Sequence, residues 1–238
     1  MAVIVANSRV AEQVYCMRLS GAPMGNAGQF YMLRQPGALD PFLSRPISLF
    51  DADEQTGELS FLYQVAGRGT EQFSRMLIGQ GLTVQGPCGN GFPLLPGDAV
   101  IIGGGIGTAP LYFLIKTLRA ADPSRRIETH LGFREEAYLK EEFAALSDKV
   151  QVNISGYVTA DVDFARPATY YACGPTPMLK AAMQAAKDAN AQLYVSLEKH
   201  MACGVGACLG CTCKTTAGQK RICKEGPVFP YLEVHDAI

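Results

Sequence analysis

The sequence predicts a β-barrel plus α/β chain: an N-terminal antiparallel barrel, a central parallel-sheet domain and a C-terminal cysteine-rich lobe. Three observations carry that prediction. Short apolar runs, often alternating and separated by Gly, Pro, Asp and Asn clusters, fill the first 96 residues, as in small barrels. After Leu95-Pro96-Gly97-Asp98, strand-like and helix-like segments alternate, the rhythm of a parallel sheet covered on both faces. Five of the eight cysteines then crowd between Cys203 and Cys223, where periodicity fades. The expected domains are 1–96, 97–197 and 198–238.

Each element follows in order. The opening Met-Ala-Val-Ile-Val-Ala-Asn-Ser reads as a first strand; it lacks the basic head and long apolar core of a secretory leader. Further barrel strands are expected at Gln13–Leu19, Gln29–Arg34, Ile47–Phe50, Glu58–Val65 and Leu82–Gly86, with one helix, Thr70–Ile78, N-capped by Thr70. An apolar strand Ala99–Ile102 then runs into a glycine turn and the helix Ala109–Ala121, whose Leu111, Leu114, Ile115 and Leu118 keep helical spacing. Strands Ile127–Phe133, Val150–Ser155, Thr169–Cys173 and Gln192–Leu197 alternate with helices near Tyr138–Leu146 and at Thr176–Ala189.

Composition excludes several classes of function. With 48% hydrophobic and 18% charged residues the chain is an ordinary globular one. A net charge of −1 gives no electrostatic case for nucleic acid or an anionic membrane. No apolar run approaches the roughly 20 residues of a membrane span. A cytoplasmic location is expected, and there clustered cysteines indicate metal rather than disulfides.

The cysteines carry the sharpest signal. Cys203, Cys208 and Cys211 are spaced C-x4-C-x2-C, and Cys223 follows across a short insert. That is close to the plant-type ferredoxin pattern, in which four thiolates hold a [2Fe–2S] cluster. Gly204, Gly206 and Gly210 allow a tight loop with N–H groups turned toward sulfur. A structural zinc site also uses four thiolates, though zinc ribbons favour two C-x2-C pairs. A separate segment closes a cage more easily than a C-x-C neighbour, which favours Cys223 over Cys213 as the fourth ligand. His130, His200 and His235 form no ligand spacing, and no catalytic triad or paired carboxylates stand out.

Four further motifs point to cofactors. Arg45-Pro46-Ile47-Ser48 could set a cation near a diphosphate and a hydroxyl near a flavin edge, although an Arg-Pro pair also suits a plain turn exit. Gly67-Arg68-Gly69-Thr70 precedes a helix, where free N–H groups favour phosphate; a simple capped loop fits equally. Gly103-Gly104-Gly105-Ile106-Gly107-Thr108-Ala109-Pro110 links a strand to a helix, the context of a nucleotide phosphate turn. Gly104, Gly105, Gly107 and Thr108 are its expected binding residues. Cys173-Gly174-Pro175 ends another strand, so it could face the same crevice; Cys173 is expected to line a nicotinamide site, not to act as a nucleophile. Arg134 could meet a 2′-phosphate, but Glu135 and Glu136 argue for NAD over NADP.

In this order the motifs resemble the ferredoxin–NADP reductase superfamily. The run from Met201 to Phe229, M-x-C-G-x-G-x-C-x-x-C…C-x-x-G-P-V-F, resembles the iron–sulfur electron-transfer subunits of class-B dihydroorotate dehydrogenases. The resemblance spans essentially the whole chain. It implies a flavin-binding barrel, an NAD-binding domain and a [2Fe–2S] lobe, with FAD, NAD and the cluster as cofactors. FAD binding is implied for Arg45, Pro46, Ile47 and Ser48, for Leu62, Tyr63 and Gln64, and for Gly69 and Thr70. Cluster ligation is implied for Cys203, Cys208, Cys211 and Cys223. Cys88 stands where relatives usually carry an apolar residue and is expected to pack. The resemblance also implies a catalytic partner carrying FMN, in a two-plus-two heterotetramer, and pyrimidine biosynthesis as the setting. Related subunits of NADH-dependent ferredoxin:NADP transhydrogenases, sulfide dehydrogenases and sulfite reductases share the plan. A zinc-binding nucleotide sensor is the alternative from another class.

Overall fold

The computed structural model describes residues 1–37 and 39–234; His235 lies outside them. Seven strands form the first sheet: β1 (Ala2–Ala11), β2 (Val14–Ser20), β3 (Phe30–Arg34), β4 (Arg45–Ser48), β5 (Asp51–Asp53), β6 (Glu58–Gln64) and β7 (Gly81–Cys88). Their order is β4-β3-β7-β1-β2-β6-β5, with every pairing antiparallel. Ile4, Met17, Leu19, Tyr31, Leu33, Leu59 and Phe61 fill its interior. The helix α1 (Arg68–Arg75) closes one end with Phe73. Asn7 anchors it: its Nδ2 donates to the Phe73 and Met76 carbonyls at 2.8 and 3.0 Å. The Phe73 carbonyl also accepts from the Met76 N–H at 3.1 Å, so Asn7 adds to the closure of the helix end.

The second sheet contains β8 (Asp98–Gly104), β9 (Ile127–Phe133), β10 (Lys149–Ile154), β11 (Ala168–Cys173) and β12 (Gln192–Ser196), parallel in the order β10-β9-β8-β11-β12. Alternate residues of β8 feed opposite faces: Val100 and Ile102 one core, Ala99 and Ile101 the other. That is why the strand reads as a continuous apolar run. Helix α2 (Ala109–Ala121) covers one face through Leu111, Leu114, Ile115 and Leu118; Pro110 sits in its first turn, where a missing N–H costs little. Helix α4 (Thr176–Asp188) covers the other through Leu179, Ala182, Met183 and Ala186. Between them α3 (Lys140–Leu146) starts two residues later than expected, because Leu139 takes a left-handed φ of 59°.

Contacts between the barrel side and α2 help join the two sheets. Phe50 stacks on Tyr112 at 4.6 Å, and Lys116 Nζ reaches both Asp51 carboxylate oxygens at 2.7 and 2.9 Å.

The first helix needs correction. Helix α1 ends at Arg75, so Leu77 and Ile78 are exposed rather than helical; Thr70 lies inside the first turn, and Gly67 is the N-cap. The cysteine lobe packs into the rest of the chain. It holds the hairpin β13 (Thr212–Thr215) and β14 (Gly218–Arg221), then β15 (Val228–Pro230) and α5 (Tyr231–Val234). Strand β15 joins the second sheet antiparallel to β12, pairing Val195 with Phe229. Cys211, Cys213, Ile222 and Cys223 share one core with Val195 of the sheet and Met32 of the barrel. Among the described residues no helix is long and apolar enough to cross a membrane.

Candidate cofactor cleft and cysteine centre

The cleft forms where β8 and β11 end. Gly107 lies directly against the turn after β11: a Cβ there would sit 2.6 Å from Gly174 N and 2.7 Å from the Cys173 carbonyl. A Cβ on Gly104 would meet Met178 Sδ at 2.7 Å and Pro175 Cδ at 2.9 Å. Glycine is what lets these two turns close on each other. The result is a cleft of about 1120 Å³ lined by Gly104, Gly105, Gly107, Gly174 and Pro175. Gly132–Glu136 and residues 155–159 form a second wall, and Glu12 and Gln64 reach in from the barrel. The volume sits at the upper end of small-molecule sites, so a dinucleotide fits.

Thr108 and Cys173 stand behind the cleft rather than in it. Thr108 is fully buried, and its hydroxyl donates to the Gly105 carbonyl at 2.9 Å. Cys173 is buried, and burial pushes its thiol well above the ordinary range. The lining expected of Cys173 therefore falls to Gly174 and Pro175, while the thiol stays protonated and packs. Glu198, just past the end of β12, also lines the cleft, although no sequence motif marks it. Its side chain is exposed at the cleft, yet the surrounding walls desolvate the carboxyl enough to raise it above the usual range. Its position after the sheet's last parallel strand was the available signal.

On the barrel side, Arg45 and Gly69 come together. The Arg45 side chain lies where a Cβ on Gly69 would be, with Cγ 3.0 Å and Cδ 3.1 Å from that point. Thr70 Oγ1 accepts from Ala66 N–H at 3.0 Å and Gly67 N–H at 3.3 Å, and donates to the Gly67 carbonyl. Its hydroxyl thus shapes the turn. Pro46, Ile47 and Ser48 are half-buried along β4. Leu62 packs with Phe50 and Ala109 where barrel meets sheet. Tyr63 is buried, with its hydroxyl donating to Asn7 Oδ1 at 3.1 Å. Of these three residues of β6, Gln64 alone is exposed, at the cleft.

The cysteines approach in two pairs. Cys203 lies beside Cys208, and Cys211 beside Cys223, while Cys223 is also within electrostatic reach of Cys203. Backbone N–H groups aim at the sulfurs: Gly206 at Cys223 Sγ (3.1 Å), Cys208 at Cys203 Sγ (3.5 Å) and Cys223 at Cys211 Sγ (3.4 Å). The Cys208, Val205 and Ala207 amides pull the Cys203 thiol down to about 6, whereas burial first, and then Cys211, pushes Cys223 up to about 12. Among the described residues no three His, Cys, Asp or Glu side chains converge on one ion position. Two thiolate pairs with inward amides suit a two-iron cluster, in which each iron takes two protein ligands. Cys213 faces the buried side of β13, with its thiol raised by burial. Cys88 is likewise buried, beside Cys203. The barrel holds the loop from below. Gln85 Nε2 donates to the Cys203 carbonyl at 2.9 Å, and Met32 packs on Gly204, whose φ is +68°.

An antiparallel barrel joined to a parallel sheet, with a cleft at the strand ends, is a ferredoxin-reductase-like architecture. Solved structures agree. The structure titled for an NADH-dependent reduced ferredoxin-NADP oxidoreductase in flavin-based electron bifurcation matches 98% of this chain and 89% of its own, at a TM-score of 0.87 and 28% identity. Phthalate dioxygenase reductase shares the fold at a TM-score of 0.66 and 17% identity, covering 90% of this chain and 86% of its own. Residues 198–235 match the family described as the iron-sulfur cluster binding domain of dihydroorotate dehydrogenase B. The dihydroorotate dehydrogenase B (NAD(+)) electron transfer subunit of Clostridium perfringens is 39% identical over 237 residues, 96% of this chain and 94% of that protein. That of Caldanaerobacter subterraneus subsp. tengcongensis is 40% identical over 245 residues, 97% of this chain and 96% of that protein. The chain belongs to the family of dihydroorotate dehydrogenase B (NAD(+)) electron transfer subunits.

Proposed function

We propose that this chain carries electrons from the FMN of a dihydroorotate dehydrogenase catalytic subunit through a [2Fe–2S] cluster and FAD to NAD+, in pyrimidine (UMP) biosynthesis. The observation that carries the reading is the pair of cysteine pairs set against the barrel at Met32 and Gln85. When bound, the nucleotide takes up a hydride, the flavin joins two-electron to one-electron transfer, and the cluster carries single electrons.

The chain's own groups divide the work. Gly104, Gly105 and Gly107 present backbone to a nucleotide diphosphate, and Gly174 and Pro175 form the wall facing it. Arg45 and the first turn of α1 supply positive charge for the flavin's diphosphate. Glu135 and Glu136 on the far wall disfavour a 2′-phosphate. Cys203, Cys208, Cys211 and Cys223 hold the cluster, with Cys213 packed behind. Cys208 and the apolar Val205 and Leu209 are exposed on the same loop, which makes that loop the face for the catalytic subunit. A heterotetramer of two plus two chains in the cytoplasm completes the proposal.

A second reading rests on the 0.87 TM-score: the same chassis serving an NADH-dependent reduced ferredoxin-NADP oxidoreductase. The test is a spectrum followed by a partner assay. The purified chain should show flavin bands and, on reduction, a rhombic EPR signal. Mixed with an FMN-bearing dihydroorotate dehydrogenase subunit, it should couple dihydroorotate oxidation to NAD+ reduction. A colourless, zinc-loaded chain would rule out electron transfer altogether. Co-purification with a second multi-cluster flavoprotein in place of that subunit would favour the second reading.

A further inference from the structure

We propose that Arg221, held in place by Glu225, sets the reduction potential of the cluster carried by Cys203, Cys208, Cys211 and Cys223; the inference rests on the cluster reading above. Arg221 closes β14, and its Nη1 donates to the Gly206 carbonyl at 2.9 Å. The same peptide unit carries the Ala207 N–H, which lies near enough to Cys203 to help lower its thiol, behind the Cys208 N–H that donates to Cys203 Sγ at 3.5 Å. The preceding N–H, that of Gly206 itself, donates to Cys223 Sγ at 3.1 Å. One guanidinium therefore clamps a loop whose two successive amides serve cysteines of different pairs. Drawing electron density from the carbonyl strengthens the amide donor on the far side of the peptide. Gly206 also has no room for a side chain here: a Cβ would meet Lys224 Cδ at 2.9 Å and Arg221 Nη1 at 3.2 Å.

The charge acts in the same direction. A guanidinium stays protonated at all working pH values. It lies close enough to Cys211 and Cys223 for their thiolates to interact with it. Reducing the cluster by one electron adds one negative charge, which a neighbouring cation favours. Glu225 opposes that cation and fixes it. Its Oε2 accepts from the Arg221 backbone N–H at 2.7 Å and from Nε at 3.0 Å, while Nη2 donates to Oε1. Of the other cations in the lobe, Lys220 is paired with Glu233 at 2.6 Å, Lys199 faces Cys213, and Lys224 lays its stem against Gly206.

The two residues should therefore move the potential in opposite directions. In EPR-monitored redox titrations of the full chain with its cluster loaded, R221Q should lower the midpoint and E225Q should raise it. The expected size is about tenfold in the one-electron equilibrium, equivalent to about 59 mV. Midpoints unchanged from the parent, or shifts of the same sign, overturn the assignment. If R221Q assembles no cluster, E225Q decides: a positive shift supports the proposal, and no shift or a negative one overturns it. Failure of E225Q to hold a cluster also overturns it, since the pair would then serve assembly. A parent chain with no rhombic signal refutes the cluster reading itself.

Discussion

In the cleft, Gly107 rests on Gly174, and both turns are carried by strands of a parallel sheet packed on both faces. In the lobe, residues 199–211 contain no helix or strand and are held by amide–sulfur contacts, Gln85 and Arg221. The first site is a consequence of topology and exists before any ligand arrives. The second, on the proposed reading, is built to hold its ligand. Rigid strand ends would then give a dinucleotide its geometry, whereas thiolates and metal would reinforce the loop. Perturbing each region should therefore have different reach.

The largest effect is expected from Cys211→Ser. It should abolish the cluster's EPR signal and reduce transfer to the catalytic subunit to background, while NADH-to-dye activity through the flavin persists. Intact coupling in this variant would sink the electron path. Next is Gly107→Val, which drives a side chain into backbone at 2.6 Å. Overpacking of this kind costs about 1–3 kcal/mol, so thermal stability should fall and the KM for NADH rise about tenfold or more, with the EPR signal retained. If the signal disappears too, the two regions are not independent.

A chelator should then separate them by hydrogen exchange. Iron removal should speed amide exchange across residues 199–223 and leave β8 and β9 protected. Equal protection before and after would mean that the loop is as pre-formed as the cleft. The smallest effect concerns Glu198. Its carboxyl is raised by desolvation, so the folded chain binds that proton more tightly than the unfolded one. Its contribution to stability is full below the ordinary glutamate range and is lost as pH rises through the folded value. Melting curves from about pH 4 to 8 should show that slope, and Glu198→Gln should flatten it.

What could be read in the sequence tracks the same division. The glycine turns and the cysteine spacing are local, and each announces itself within 21 residues or fewer. The strands of the parallel sheet were legible because burial on both faces leaves unbroken apolar runs such as Val100–Ile102. Thr70 was misplaced by one turn because a threonine hydroxyl suits both ends of a capping pair: at the N-cap it accepts from N–H groups ahead of it, and three residues on, as here, it reaches back to Ala66 and Gly67. Strand β15 escaped because three residues carry no period and its partner lies over thirty positions earlier. Arg221 and Glu225 were invisible for a related reason. Nothing in R-I-C-K-E says that the guanidinium will find Gly206, fifteen positions upstream. Cys173 looked like a lining residue because its neighbours are, but the last residue of a strand points alternately in and out, and this one points in.

Strand β15 also decides how separable the lobe is. It hydrogen-bonds along β12 and occupies what would otherwise be the open margin of the second sheet. A chain cut after Leu197 would lose its electron exit and also bare a row of unpaired amides and carbonyls, an invitation to stack on another molecule. The lobe is thus a selvedge woven into the fabric of the nucleotide domain. Truncation or domain-exchange experiments should carry residues 198–234 together with the sheet, or expect an insoluble product.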